Sequence, residues 1–412
     1  MFISKQKRKV YWEKEVISMK INRYVKVFFG FAAYPIYILS SLMRKRENIW
    51  VFGSWYGKKY ADNSKWFYEY CLSRGTDCYW ITKDKDLQLK LSEKGLNSLY
   101  YLSVKGIWIQ MVAGKVFITQ SVSADLFAAA VSGKTKIFNL WHGVPLKKIM
   151  YDANPIKERS LAARTALTLC PYLRHRQDYL ISTGSECTKL MSSAFDMAEE
   201  NIIESGLPRN DAFLIKEKGI FKSNDAAKVI YMPTFRGDVG SEIDLFYCHG
   251  FDFELLELFL SRINIELYLR LHPANKPNKD FCNRVSDSNF IFFNEDDDIY
   301  DSINEYDVLI TDFSSIYIDF LLSGKNVIFS PFEMDSYLKN DRSLYYNYEE
   351  ATVGPYAKDW NQVMSILAAI VSSGFTISPE LERLKVKFHN IDSGQASMKL
   401  FEYILELDNR ED

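Results

Sequence analysis

The sequence predicts an α/β protein with two doubly wound, parallel-sheet halves behind a basic and apolar N-terminal segment. Three observations carry that expectation. Short apolar runs alternate with helix-length segments from residue 47 onward. The alternation pauses over the polar stretch Lys216–Ala227 and then restarts, and formal charge is divided between a cationic head and an anionic body.

The first half supplies six candidate strands, Ile49–Gly53, Cys78–Thr82, Val116–Gln120, Ile137–Trp141, Tyr179–Thr183 and Ile202–Ser205. The intervening stretches are long enough for helices, which is the βαβ rhythm of a parallel sheet covered on both faces. The second half repeats it with Val229–Thr234, Glu266–His272, Phe290–Asn294, Val308–Asp312 and Val327–Pro331. A single core rarely grows past roughly 250–300 residues, so 412 residues suit two domains. The expected division is 1–46 for the head, 47–220 for the first half and 221–412 for the second. Two doubly wound halves place the expected binding site in a central cleft, where strand carboxyl ends face each other.

The head is read from its charge. The chain carries 51 Lys and Arg against 53 Asp and Glu, a net charge of −2. Residues 1–46 hold eleven basic and two acidic residues and so carry +9, leaving −11 on the other 366. Between the basic flanks runs Val27–Met43, uncharged but interrupted by Gly30, Pro35, Ser40 and Ser41. It is slightly short for a spanning helix, which needs about 20 apolar residues. No small-residue cleavage site follows it, which argues against a secretory leader. Basic residues on both flanks favour a helix lying in the interface at the cytoplasmic face of the membrane, drawn to anionic lipid. A spanning signal-anchor and a buried packing helix are the other two readings, and Met19 is an alternative start that leaves the apolar run intact.

Composition narrows the function classes. With 47% hydrophobic and 25% charged residues the chain is neither disordered nor collagen-like. Six cysteines without a C-x-x-C pair or a histidine at metal spacing read as reduced packing residues. Nucleic acid is a poor partner, since the body is acidic and the basic residues cluster beside an apolar run. No P-loop, dinucleotide-binding or serine-hydrolase motif occurs, and no metal cluster.

Chemistry-bearing residues gather after the candidate strands. His142 lies in NLWHGVPLKK, followed by Gly143 and Pro145. Glycine permits a tight turn and close approach to a ligand, and proline suits a first helical turn, so His142 is expected at the positive end of a helix as a neutral general base. A satisfied core or cap histidine is the competing reading, weighed evenly. His272 lies in LYLRLHPAN at the end of an apolar strand broken by Pro273, with Arg270 two residues before it on the same strand face; both can donate to a phosphate, and a structural His-Pro is the competing reading. In VLITDFSSIYIDFLLSGK a strand ends at Asp312, and Ser314 and Ser315 open a helix that closes at Gly324. Capping needs one serine, so two adjacent hydroxyls favour a diphosphate site. Asp312 either holds the loop or orients a ligand hydroxyl. YMPTFRGD places Thr234 and Arg236 after a strand, and SGLPRND places Arg209 and Asp211 at a helix start. Arginine there is either a bidentate phosphate contact or half of a surface ion pair.

WHGVPLKK, YMPTFRG, LRLHP, TDFSSIYIDF and SGLPRND, in their chain positions, together resemble the CDP-glycerol glycerophosphotransferase family that builds wall teichoic acid and related capsular polymers. VFGSWYGKKYADNSKWFYEY and YYNYEEATVGP also resemble family segments, so the likeness runs over roughly residues 48–360. The resemblance implies a GT-B fold and a peripheral membrane enzyme that moves glycerol phosphate from CDP-glycerol to a polyprenyl-diphosphate-linked acceptor, releasing CMP. Carried over, it makes His142 the base and assigns His272, Ser314 and Ser315 to the donor diphosphate, with Arg236 adding positive charge. Asp312, Arg209 and Asp211 would shape the cleft, and Gly143, Thr234 and Arg270 complete the expected substrate-binding set. Where larger polymerases of the family often carry Thr after His-Gly, this chain has Val144, a departure that bears on substrate detail. No aspartate pair is placed to hold a catalytic metal, so no cofactor is expected and transfer is expected to be metal-independent, with a divalent ion at most assisting. CDP-ribitol as donor, or a nucleotide sugar used by a GT-B glycosyltransferase, are the alternatives, and a non-catalytic scaffold would need none of these residues.

Overall fold

A computed structural model describes residues 32–153, 168, 170–174, 176–213, 226–234, 249–271, 277–332, 334, 343–390 and 395–411. They group into two compact units. The first comprises the described residues within 1–59, 75–139 and 156–178; the second those within 60–74, 140–155 and 179–412. The expected boundary at 220 lies outside the described residues, as does most of the N-terminal head.

The first unit is built on parallel strands β1 (Arg46–Phe52), β2 (Asp77–Thr82), β3 (Ser98–Tyr100), β4 (Ala113–Ile118) and β5 (Lys136–Asn139). Their spatial order is β3-β2-β1-β4-β5. β4 is buried along its whole length because it is flanked by β1 and β5 and covered on both faces. Its one charged residue, Lys115, reaches Glu47 at 3.2 Å. The core joins Ile49, Val51, Ile81, Val116, Ile118 and Ile137 to helix residues Ile109 and Val112. β3 has no counterpart among the expected strands. Its three residues lie at the edge, too short to make a pattern.

Of the apolar run Val27–Met43, residues 27–31 lie outside the described residues and 32–42 are helical. One side of this helix packs on the first unit's core through Tyr34, Ile36 and Tyr37. Ser40 is buried, its hydroxyl donating to the Ala130 carbonyl at 2.7 Å while its own carbonyl accepts from Ser132 at 3.0 Å. Ile38, Leu39 and Leu42 remain exposed, Leu42 at 77%. The packing-helix reading thus describes one face and leaves another apolar face open. No described helix is long and apolar enough to cross a membrane.

The second unit holds the parallel pair β6 (Tyr179–Ile181) and β7 (Ile202–Ile203) and a five-stranded parallel sheet. The sheet comprises β8 (Ala227–Met232), β9 (Ile265–Leu269), β10 (Ile291–Phe293), β11 (Val308–Thr311) and β12 (Asn326–Phe329), in the order β10-β9-β8-β11-β12. Its core packs Val229, Leu267, Val308 and Ile310 against Leu256 and Leu260 of the Phe253–Ile263 helix and Trp360 and Val363 of the Trp360–Ser372 helix. All eleven expected strands are present. The order reverses between β8 and β11, and doubly wound sheets bind ligands beyond the carboxyl ends of the strands at such a point.

Candidate active site

Three of the expected residues lie at the carboxyl edge of the five-stranded sheet. Thr234 follows β8, Arg270 follows β9 and Asp312 follows β11, and these three strands are neighbours. Asp312 is buried and its carboxylate joins the two loops at the reversal point. One oxygen accepts the Thr234 N–H at 2.8 Å and the other the Thr234 hydroxyl at 3.0 Å, while Phe313 N–H donates to the first at 2.6 Å. Of the two roles expected for Asp312, holding the loop is the one its contacts show. Arg270 is turned to its own edge, where it donates to the Asn294 side chain and to the Asp296 carbonyl at 2.8 Å. Burial pulls its guanidinium below its ordinary value, opposed by the nearby Asp298 and Asp296 carboxylates. His272 and Arg236 lie outside the described residues.

Beyond Asp312 the chain turns into the short helix Ile316–Phe320, continues as a tight turn through Ser323 and closes at Gly324, whose φ of 64° is the left-handed conformation glycine adopts freely. Ser314 caps loosely, accepting the Ile316 N–H at 3.4 Å, and the Ser315 hydroxyl makes no cap bond. Capping therefore occupies one serine of the pair.

His142 arrives on the loop after β5. The sequence placed it before a helix beginning near Pro145, and the structure corrects this. The backbone of Leu146 and Lys148 is instead paired with a neighbouring extended segment: Lys148 N–H donates to Ser343 O at 2.8 Å, Tyr345 N–H to Leu146 O at 3.0 Å, and Lys147 forms an antiparallel bridge with Leu344. Backbone groups engaged with another segment are not available for helical bonding. His142 therefore does not stand before a helix of its own; the Trp141 ring lies against it, with ring centroids 4.0 Å apart. Gly143 has a φ of +142°, and a β-carbon built on it would come within 3.0 Å of Arg209 Nη2 and 3.5 Å of Ser315 Oγ. The absence of a side chain there lets the histidine loop and the serine pair lie against one another.

Arg209 and Asp211 lie in the 3-10 turn Pro208–Phe213, at the helix start their motif indicated, but their side chains are committed to contacts within the protein. Arg209 is buried and turned inward: Nη1 donates to Asp62 Oδ1 and to the His142 carbonyl, both at 2.9 Å, and Nη2 donates to Asp319. It is neither extended to a ligand nor part of a surface pair. Burial alone would lower its pKa, but Asp319, Tyr300 and Asp62 more than offset this and hold it firmly charged. Asp211 accepts the N–H groups of Ala396 at 2.9 Å and Ser397 at 3.0 Å, capping the C-terminal helix Ala396–Glu411. Its contacts lie with that helix rather than with His142. Asp62, Asn63, Tyr300 and Asp319, which contact the Arg209 group, were not among the expected site residues; Asp62, Asn63 and Asp319 lie in segments that carry the family resemblance, and Tyr300 carried no sequence signal.

Parallel-sheet α/β units, one of which sets a histidine loop beside paired serines at a strand end, place the chain among GT-B-like proteins. The family model described as CDP-Glycerol:Poly(glycerophosphate) glycerophosphotransferase matches residues 36–406. The chain belongs to that family, and is thus a phosphotransferase of the teichoic acid glycerol-phosphate transferase and polymerase group. It is 26% identical over 392 residues to a teichoic acid glycerol-phosphate transferase of Staphylococcus aureus, covering 90% of this chain and 97% of that protein. It is also 26% identical to a teichoic acid poly(glycerol phosphate) polymerase of Bacillus subtilis, spanning 96% of this chain but 53% of the relative. A structure of the wall teichoic acid polymerase TagF superposes with a TM-score of 0.70 at 22% identity, covering 95% of this chain and 98% of that one, a likeness of fold.

Proposed function

We propose that the chain transfers glycerol phosphate from CDP-glycerol to a hydroxyl of a polyprenyl-diphosphate-linked acceptor at the cytoplasmic face of the membrane. His142 takes the hydroxyl proton as the acceptor oxygen bonds to the glycerol-bearing phosphorus. The bond from that phosphorus to the bridging oxygen breaks, and CMP leaves with its electron pair. The observation that carries this reading is the approach of Gly143 to Ser315, which brings a histidine loop and a serine pair together in one unit. Phosphoryl transfer depends chiefly on in-line positioning and charge neutralisation, with a base to orient or deprotonate the nucleophile. A positioned general base contributes about 10²–10⁴-fold. Ser314, Ser315, Arg236 and His272 supply the donors for the diphosphate, and the Thr234–Asp312 contact holds Thr234, two residues before Arg236 in the sequence. The division into an acceptor-side first half and a donor-side second half belongs to the same reading.

The deciding experiment is a donor screen with purified full-length protein, scored by nucleotide release from CDP-glycerol, CDP-ribitol and UDP-sugars. CMP release from CDP-glycerol, lost in both His142→Ala and His272→Ala, supports the proposal. Turnover of a UDP-sugar alone would replace it with a glycosyltransferase, and preference for CDP-ribitol would change the donor while keeping the chemistry. Activity is expected to survive EDTA; complete loss restored only by Mg²⁺ would overturn the metal-independent form of the mechanism.

A further inference from the structure

Arg209 joins segments that lie far apart in sequence. Its bond to His142 O spans 67 residues, that to Asp319 110 and that to Asp62 147. The guanidinium also lies over the Tyr300 ring, 4.7 Å from its centroid, and Tyr300 donates its hydroxyl to the same Asp319 oxygen. The Arg209 N–H donates to Asn63 Oδ1 at 3.2 Å, and the Asn63 amide in turn donates to the carbonyls of Leu140 at 2.8 Å and Trp141 at 3.1 Å. Three successive carbonyls, Leu140, Trp141 and His142, are thus held by one buried cluster.

The held segment is strained. Trp141 has a φ of 49°, a left-handed conformation that costs a bulky residue of order 1–3 kcal/mol and persists only where surrounding structure enforces it. Asn63 and Arg209 provide that enforcement from both sides. The other end of the cluster is Asp319, on the Ile316–Phe320 helix that follows Ser314 and Ser315 directly. Every link from the carbonyl of His142 to the serine helix is therefore a charge-assisted hydrogen bond, the shorter and stronger kind.

We propose that Arg209, held by Asp62, Asn63, Asp319 and Tyr300, is the positioning residue that keeps the His142 loop in register with the Ser314–Ser315 pair during transfer. The inference rests on the reading of His142 as the base. A group acting only to neutralise two buried carboxylates would be satisfied by any cation. Register demands the planar fork, because a lysine ammonium on a single stem does not reach the Asp62, His142 and Asp319 acceptors with the same spacing.

The test compares Arg209→Lys, Tyr300→Phe and His142→Ala with the native full chain. Readouts are kcat and KM for CMP release, CDP-glycerol binding by calorimetry and urea unfolding. Arg209→Lys is expected to bind donor within about threefold of the native protein while kcat falls about 10–100-fold, the loss that displacement of a reacting group by ångström amounts produces. Tyr300→Phe, which removes one donor to Asp319 and keeps the ring under Arg209, is expected to lose kcat in the same sense and less severely. If Arg209→Lys does not fold, Tyr300→Phe decides. An inactive His142→Ala beside native kcat in the foldable Arg209 and Tyr300 variants would overturn the inference alone. Full activity in His142→Ala would remove the base assignment and the inference with it.

Discussion

Gly143 faces Ser315 so closely that a β-carbon on the glycine would lie 3.5 Å from the serine hydroxyl and 3.0 Å from Arg209 Nη2. The glycine also holds a φ of +142°, a region that side chains avoid. Gly143→Ala is therefore expected to destabilise the fold by about 1–3 kcal/mol and to push the His142 loop away from the serine pair. Steady-state CMP release should show a fall in kcat larger than any rise in KM. Native kinetics in a folded Gly143→Ala protein would show that the approach of the two loops has no part in turnover.

The Asp312 carboxylate and Thr234 meet where the order of the five-stranded sheet reverses. Thr234→Val removes one hydroxyl and keeps the backbone bond, so a stability loss of about 1 kcal/mol is expected. Asp312→Ala leaves three donors without their acceptor, and each buried donor so orphaned costs about 1–3 kcal/mol. On the proposed donor assignment, KM for CDP-glycerol should rise more than kcat falls in Thr234→Val. An unchanged KM would separate this contact from donor binding.

His389 supports the serine helix from below, its Nε2–H donating to the Ile318 carbonyl at 2.8 Å. Burial lowers its pKa from the ordinary 6.5, partly opposed by Asp319 and the Ile318 bond and reinforced by Lys385. A histidine kept neutral in the folded state takes its proton first in the unfolded chain. Its contribution is thus fully present above pH 6.5 and is lost as pH falls below it, by at most about 1.4 kcal/mol per pH unit. His389→Gln retains a donor for Ile318 without titrating. Urea unfolding at pH 7.5 and 5.5 should show the native protein losing more stability on acidification than the variant; equal losses would remove His389 from the acid response.

The strands were legible because buried parallel strands form apolar runs, and each run read from residue 49 onward became a strand within a few residues of its expected ends. β3 was not, since Ser98–Tyr100 is too short and too close to the edge to show a period. Among the expected site residues, His142, Thr234, Asp312, Ser314 and Ser315 stand at loops after strands, as their motifs indicated. The Asp62–Arg209–Asp319 links were invisible because nothing local in a sequence marks which carboxylate will meet an arginine more than 100 residues away. The helix expected after His142 failed for a related reason. Pro145 suits a helical start, but long-range pairing with Ser343–Tyr345 took the backbone groups that the helix required.

The open apolar face of the 32–42 helix is where the proposed membrane attachment can be tested. Lys45, one of the basic residues of the head, is engaged elsewhere: its ammonium donates to the Ser40 and Met111 carbonyls, and burial, with Lys134 and Arg176 nearby, lowers its pKa to about 8. Arg44 and Arg46, exposed on either side of it, remain turned to solvent. Leu39 and Leu42, 53% and 77% exposed, present the apolar surface, and moving a leucine wholly out of water is worth about 1.5–3 kcal/mol. Part of that gain is available at an interface, so Leu39→Asp with Leu42→Asp should weaken binding to vesicles containing anionic lipid at least tenfold. Since neither side chain is buried, urea unfolding should be unchanged. Tyr37→Ala should do the reverse, because Tyr37 packs on the core and stacks on Tyr172 with ring centroids 5.2 Å apart. If the double leucine variant binds vesicles as tightly as the native chain, attachment does not use this face.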